Sequence, residues 1–360
     1  MIKDKILVYS DYIIHENSGG PPGYLYKCVL DNHPKEIVLL DDALKINKIK
    51  FKVKLRHKLF KLLGFFSKKL TNKNTSKFIY SNSLNYKFIY FHDVFTLYNV
   101  LHLIKKEQII ILQSHSPQLP SEEKFDFSKN QKELIHSKLI EKLAFERANV
   151  LVFPNKECVI TYKSLILKKH TIKYLLTGIK KIESSVFYPI KKNKINLLYI
   201  GRRNDIKGFN FLIKTFKEVT ATRDDLCLFI AGSGALINGK NIYDLGLITT
   251  PYNWINSVDF VFSLNEKSYF DLNVIETICL GTPLIMTTTE GHNFFKNTRG
   301  IIDVTNKNLV DVLLSKNLIN KKYKIENKKA ILSLYNHFFT ESIFKENLQT
   351  ICREIIQQFN

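Results

Sequence analysis

Two successive α/β domains, each a doubly wound and mainly parallel sheet, are predicted by three features of this sequence. Short apolar runs alternate with amphipathic stretches through the first half. A polar break, KKNK at 191–194, precedes a fresh strand-like run, INLLYIG. Between Val258 and Phe295, the buried-strand patterns VDFVFSL and PLIMTTT flank a helix-like segment entered through the loop SYFDL. With 360 residues, 45% of them hydrophobic, the chain has enough apolar material for two or three cores.

In the first half, strands are expected over Lys5–Ser10, Glu36–Leu40, Lys87–Phe91, Gln108–Gln113, Val150–Phe153 and Lys173–Thr177, with helices between them. The first strand feeds NSGGPPGYLYKCV, a Gly/Pro-rich loop opening a helix, in which Gly19, Gly20 and Gly23 suit a tight turn. His92 and His115 each stand just past a strand, where open α/β sheets place their ligands.

The formal charge of +21 is concentrated. From Ala43 to His92 there is no acid, while twelve lysines and Arg56 fall there. Within that block Leu55, Leu59, Leu62, Leu63 and Phe66 recur at helical spacing, with Phe60 and Phe65 widening the apolar face. A wide apolar face with a cationic rim suits an interfacial helix, so Lys45–Lys69 is expected to dock on an anionic membrane. A basic block equally suits nucleic acid, but no recognised nucleic-acid motif accompanies it, and no such partner is expected.

The five cysteines are scattered and never form a CxxC pair, which argues against a disulfide framework or a zinc site. The N-terminal MIKDKILVYSDY reads as a strand rather than a signal peptide, and no uncharged run has the length of a spanning helix. A cytoplasmic protein, peripheral on the inner face of the membrane, is expected.

The second half carries the chemistry. INLLYIG leads into GRRNDIKGFNFLIKTFKEV, where a Gly-ended strand lets backbone approach a phosphate and Arg202 and Lys207 straddle it. LCLFIAGSG ends in Gly232 and Gly234. In the Val258–Phe295 unit, Asp271 or Asn273 is a candidate helix cap, Val274, Ile275 and Ile278 form the apolar stripe, and Gly281 with Pro283 ends the helix. Further on, Ile301–Val304 is an expected edge strand, and Lys322–Tyr335 and Glu341–Gln358 are expected helices.

Together these motifs resemble the GT-B-fold retaining glycosyltransferases of the group 1, or family 4, type. Gly201, Arg202, Lys207 and Gly208 match that family's Gly-Arg followed by Lys-Gly, and Phe270, Glu276, Gly281 and Pro283 match its donor-site signature. The chain departs from it at Ser268, where the family has a first Glu, and at Asp271, where it has Gly.

The resemblance implies two Rossmann-like domains facing a central cleft. We place an acceptor domain over 1–185, a nucleotide-sugar domain over 195–340, and a last helix, 341–360, crossing back to the first. It implies a hexosyltransferase that moves a sugar from a UDP- or GDP-sugar to a glycan or lipid-linked acceptor with retention, in bacterial cell-surface polysaccharide synthesis. No cofactor or metal is expected, since no Asp-x-Asp is present. His115, Arg202, Lys207 and Glu276 are the implied catalytic set. Gly19, Gly20, Gly201, Gly232, Gly234, Ser268, Phe270, Asp271, Leu272 and Asn273 are the implied donor-binding set. The departures at Ser268 and Asp271 keep an alternative open, an inert GT-B-fold subunit of another glycosyltransferase.

Overall fold

The computed structural model describes residues 1–10, 14–15, 19–40, 42–43, 86–319 and 321–360. The basic stretch Lys45–Lys69, read above as a membrane-docking helix, lies outside the described residues. The chain forms two compact units, Met1–Leu176 with Ser342–Asn360, and Thr177–Glu341.

The first unit is built on a parallel sheet with strands β1 (Ile2–Tyr9), β2 (Ile37–Leu39), β3 (Tyr86–Phe91), β4 (Ile109–Gln113), β5 (Val150–Phe153) and β6 (Thr171–Tyr174). Their order is β2-β1-β3-β4-β5-β6. These runs are nearly all apolar because helices cover both faces of a parallel sheet; Ile6, Leu7, Phe88, Ile89, Ile110 and Val150 are fully buried. Asp93 caps the Val94–Val100 helix through Thr96 N–H at 2.7 Å, and Asn130 caps the Gln131–Arg147 helix. The last helix, Glu341–Phe359, belongs almost entirely to this unit, where Arg353 donates to Glu36 at 2.9 Å.

The second unit has strands β7 (Ile195–Ile200), β8 (Leu226–Ala231), β9 (Ile242–Gly246), β10 (Phe260–Ser263), β11 (Leu284–Met286) and β12 (Ile301–Asp303), again all parallel. Their order, β12-β11-β10-β7-β8-β9, is that of a doubly wound dinucleotide-binding sheet. Helices Phe209–Val219, Pro251–Ser257, Leu272–Cys279 and Lys321–Phe338 follow in sequence. Leu197, Leu212, Phe216, Leu228, Ile230 and Phe260 are fully buried at the heart of one face.

Two features differ from the sequence reading. β9 was not anticipated, because IYDLG is half-exposed and carries an Asp. The segment placed at the end of the first domain groups with the second unit, since its polar groups bond there. Ile179 N–H donates to Phe339 O at 2.9 Å and Ser184 Oγ to Asn253 at 2.8 Å.

Candidate functional site

In the second unit the strand order reverses between β7 and β10, so the crevice beyond their carboxyl ends is the natural ligand position. The loop after β7 is shaped by two close approaches. Gly208 has φ 66°, and a Cβ there would stand 2.0 Å from Leu264 O just after β10; Gly232 has φ 138° and packs on Gly201 O as closely. Any side chain at either position would force the loops apart. Gly234 lies against the Arg203 side chain.

The two adjacent arginines are used differently. Arg203 and Asp244 form a two-pronged ion pair at 2.6 Å, with side chains 3% and 6% exposed, and this fixes the β7 loop to β9. Arg202 is exposed, its carbonyl accepting from Tyr199 OH at 2.5 Å. Asn204 Oδ1 accepts from Lys207 N–H at 3.0 Å, closing the turn that presents Lys207.

Lys207 Nζ lies 2.5 Å from Asp271 Oδ2, and Asn265 Nδ2 donates to the same oxygen at 2.6 Å. Burial pushes the Asp271 carboxyl up, but the Lys207 ammonium and these hydrogen bonds outweigh it and hold the group far below the ordinary carboxylate range. Asp271 is the N-cap residue of the Leu272–Cys279 helix, yet its side chain makes no cap hydrogen bond. Its backbone N–H donates to His292 Nε2 at 3.3 Å. That ring is fully buried and burial lowers it to about 4, with Asp271 partly opposing the shift. Asn273 Nδ2 reaches Ile200 O at 3.5 Å, tying the helix start to β7. Leu272, between them, is half-buried.

Glu276, one turn into that helix and 7% exposed, accepts from Tyr252 OH at 3.0 Å. Ser268 is fully buried and bonds Thr289; its N–H donates to Glu290 Oε2 at 2.8 Å. A carboxylate therefore stands beside the position where the resembled signature has its first Glu, supplied from residue 290. Phe270 is stacked on Phe295 at 5.3 Å within an aromatic core, so its side chain packs the loop from beneath.

In the first unit, the reversal falls between β1 and β3. His115 is hydrogen-bonded to His92, Nε2 to Nδ1, at 3.0 Å, and the two rings stack with Tyr24 and Tyr90 around them. Burial lowers His115 to about 3 and His92 well below its ordinary value, so both rings are neutral at pH 7. Gly19 and Gly20 are exposed at the start of the short Gly20–Tyr24 helix, with no described atom within 4 Å of an added Cβ.

Arg202, Lys207, Asp271, Leu272, Asn273 and Glu276 thus gather around one strand-end region of the second unit. His115, Gly19 and Gly20 belong to the first. The sequence reading missed Asn265, Tyr252, Glu290 and His292, whose roles depend on partners from distant loops. Among the described residues no group of three or more His, Cys, Asp or Glu has the arrangement to hold a metal ion, and no helix is long and apolar enough to cross a membrane.

Comparisons with known proteins agree with this architecture. Residues 194–313 match the family model of the glycosyl transferases group 1. An uncharacterized glycosyltransferase of Methanocaldococcus jannaschii is 28% identical over 181 residues, which is 43% of this chain and 44% of that protein. The match therefore spans less than half the length of that relative. Among solved structures, sucrose-phosphate synthase from Thermosynechococcus elongatus has a TM-score of 0.61 at 15% identity, covering 80% of this chain and 78% of that one. A TarM mutant of S. aureus, solved in a complex that includes UDP, has a TM-score of 0.60 at 15% identity, covering 78% and 59%. Residues 194–313 carry a sequence that matches the glycosyl transferases group 1, and the two parallel six-stranded sheets have the GT-B fold of the similar solved structures.

Proposed function

We propose that the chain is a glycosyltransferase that moves a hexose from a UDP- or GDP-sugar to a glycan or lipid-linked acceptor with retention of configuration. The observation that carries this reading is the placement of Arg202, Lys207 and the start of the Leu272–Cys279 helix at the strand-order reversal of the second unit. Cleavage of the sugar C–O bond puts negative charge on the leaving diphosphate. Two cations and helix N–H groups are suited to receive it, so no strong protein base is demanded.

Glu276 takes the ribose hydroxyls, its second oxygen steadied by Tyr252. Gly201, Gly232 and Gly234 let the backbone of two loops come close to the nucleotide, and the Ser268–Asn273 loop borders the sugar. His115, a neutral ring held by His92, orients a hydroxyl of the sugar or acceptor. Support for the nucleotide comes from the neighbouring TarM structure, which was solved with UDP.

Lys45–Lys69 would bring the enzyme to an anionic cytoplasmic membrane where a lipid-linked acceptor of cell-surface polysaccharide is presented. Sedimentation with anionic but not neutral vesicles, weakened by salt, is the expected behaviour. Equal binding to both vesicle types would remove it.

A second reading, an inert subunit of another glycosyltransferase, is favoured by one observation: Lys207 is already paired with Asp271. Incubating the purified protein with a panel of nucleotide sugars separates the two. Release of free nucleotide that is lost in Glu276→Gln is expected of the enzyme. No release from any donor, with or without acceptor extract, would support the inert subunit.

A further inference from the structure

Asp271 behaves unlike an ordinary N-cap. An acidic residue at this position usually turns its side chain back onto the first helical N–H groups. Here that contact is forgone. The Val274 and Ile275 N–H groups return to Asp271 O, while those of Leu272 and Asn273 have no acceptor among the described residues. The carboxylate faces the other way, onto Lys207 and Asn265.

The pair is enclosed, with side chains 18% and 16% exposed, and the Asn204 hydrogen bond and Gly208 turn hold Lys207 in place. A carboxylate oxygen at 2.5 Å takes up one of the ammonium's three N–H donors and offsets its charge, so an anionic ligand oxygen has to compete with it. Lys207 cannot serve both fully at once.

We propose that Asp271 is an internal counter-ion of the donor seat, occupying the anion position on Lys207 until a diphosphate oxygen displaces it. The inference rests on the reading of Lys207 as a diphosphate contact. A displaced carboxylate has a destination, the cap position on the Asn273 N–H that it now forgoes, which leaves Lys207 and the Leu272 N–H to the ligand. Asp271 therefore weakens the seat for any anion and makes it selective for ligands charged strongly enough to win the exchange.

Calorimetric titration of the full chain with inorganic pyrophosphate, UDP and GDP tests this. Asp271→Asn keeps the size of the side chain and removes the competing charge; Asp271→Gly removes the side chain and serves if the first variant folds poorly. Both should bind pyrophosphate and the preferred nucleotide at least about tenfold more tightly than the wild type. The gain should vanish when Lys207→Ala is added. Unchanged or weaker binding in the Asp271 variants, with Lys207→Ala still impairing binding, overturns the counter-ion role alone. Wild-type affinity in Lys207→Ala overturns the donor-seat reading, and this inference with it.

Discussion

Near the strand-order reversal of the first unit stands an aromatic, uncharged cluster: His92 and His115, just past β3 and β4, are paired, with Tyr24 and Tyr90 around them. At that of the second unit, beyond β7 and β10, the groups are ionic: Arg202, Lys207, Asp271 and the ion pair Arg203–Asp244. The same topological position thus carries opposite chemistry. A neutral, partly desolvated surface suits hydroxyl groups, and in the first unit His92 Nε2 is buried without a hydrogen-bond partner among the described residues. A cationic loop backed by a helix start suits phosphate. Such a contrast would serve the proposed transfer of a sugar from a nucleotide donor.

The largest effect should come from breaking the frame of the ionic region rather than its ligand contacts. Asp244→Ala leaves Arg203 buried without its carboxylate and should cost the second unit about 3–5 kcal/mol in denaturant unfolding. A loss under about 1 kcal/mol would mean that water replaces the pair easily. Arg202→Ala, by contrast, removes an exposed side chain and should cost less than about 1 kcal/mol of stability while weakening nucleotide binding at least about tenfold. Swapped outcomes for the two adjacent arginines would reverse their assignment.

Acid tests the neutral histidine pair. His92 and His115 have folded pKa values below the unfolded value of about 6.5, so below pH 6.5 the unfolded chain binds more protons and stability falls with falling pH. Asp271 and Asp244, whose folded pKa values are depressed, contribute stability that is present above the unfolded value of about 3.9 and is lost only as pH falls below it. Between pH 6.5 and 4 the first unit's histidines should therefore contribute to the slope, together with His292 and His170. The double variant His92→Gln, His115→Gln should reduce the stability lost over that window by about 1 kcal/mol or more. An unchanged slope would mean that the pair is not held neutral.

The smallest effect is expected from Tyr252→Phe. It removes one hydrogen bond to Glu276, worth about 1 kcal/mol, and should weaken nucleotide binding by less than tenfold. A loss as large as that of Glu276→Gln would make Tyr252 a ligand contact in its own right.

The legible parts of this molecule were those fixed by local chemistry. Buried parallel strands must be continuous apolar runs, so eleven of the twelve strands among the described residues stood out, VLVF at 150–153 to the residue. Gly208 was legible because only glycine accepts its φ beside Leu264. What stayed hidden depends on partners far apart in sequence. Asp271 reads as a cap from its neighbours, and only the fold brings Lys207, 64 residues away, to compete for it. Glu290 reaches Ser268 from a loop after β11, and no pattern around residue 290 announces it. Of Arg202 and Arg203, sequence could not say which turns inward, since the choice follows from Asp244 on a strand too polar to be recognised.

Hydrogen–deuterium exchange of the full chain, with and without the nucleotide that binds best in a UDP and GDP panel, tests the central claim most directly. Ligand binding should slow exchange in the loops at 201–208 and 268–273 and in the Leu272–Cys279 helix, and Lys207→Ala should abolish that protection. Protection confined to the first unit, around His92 and His115, would contradict the assignment of the donor to the ionic region.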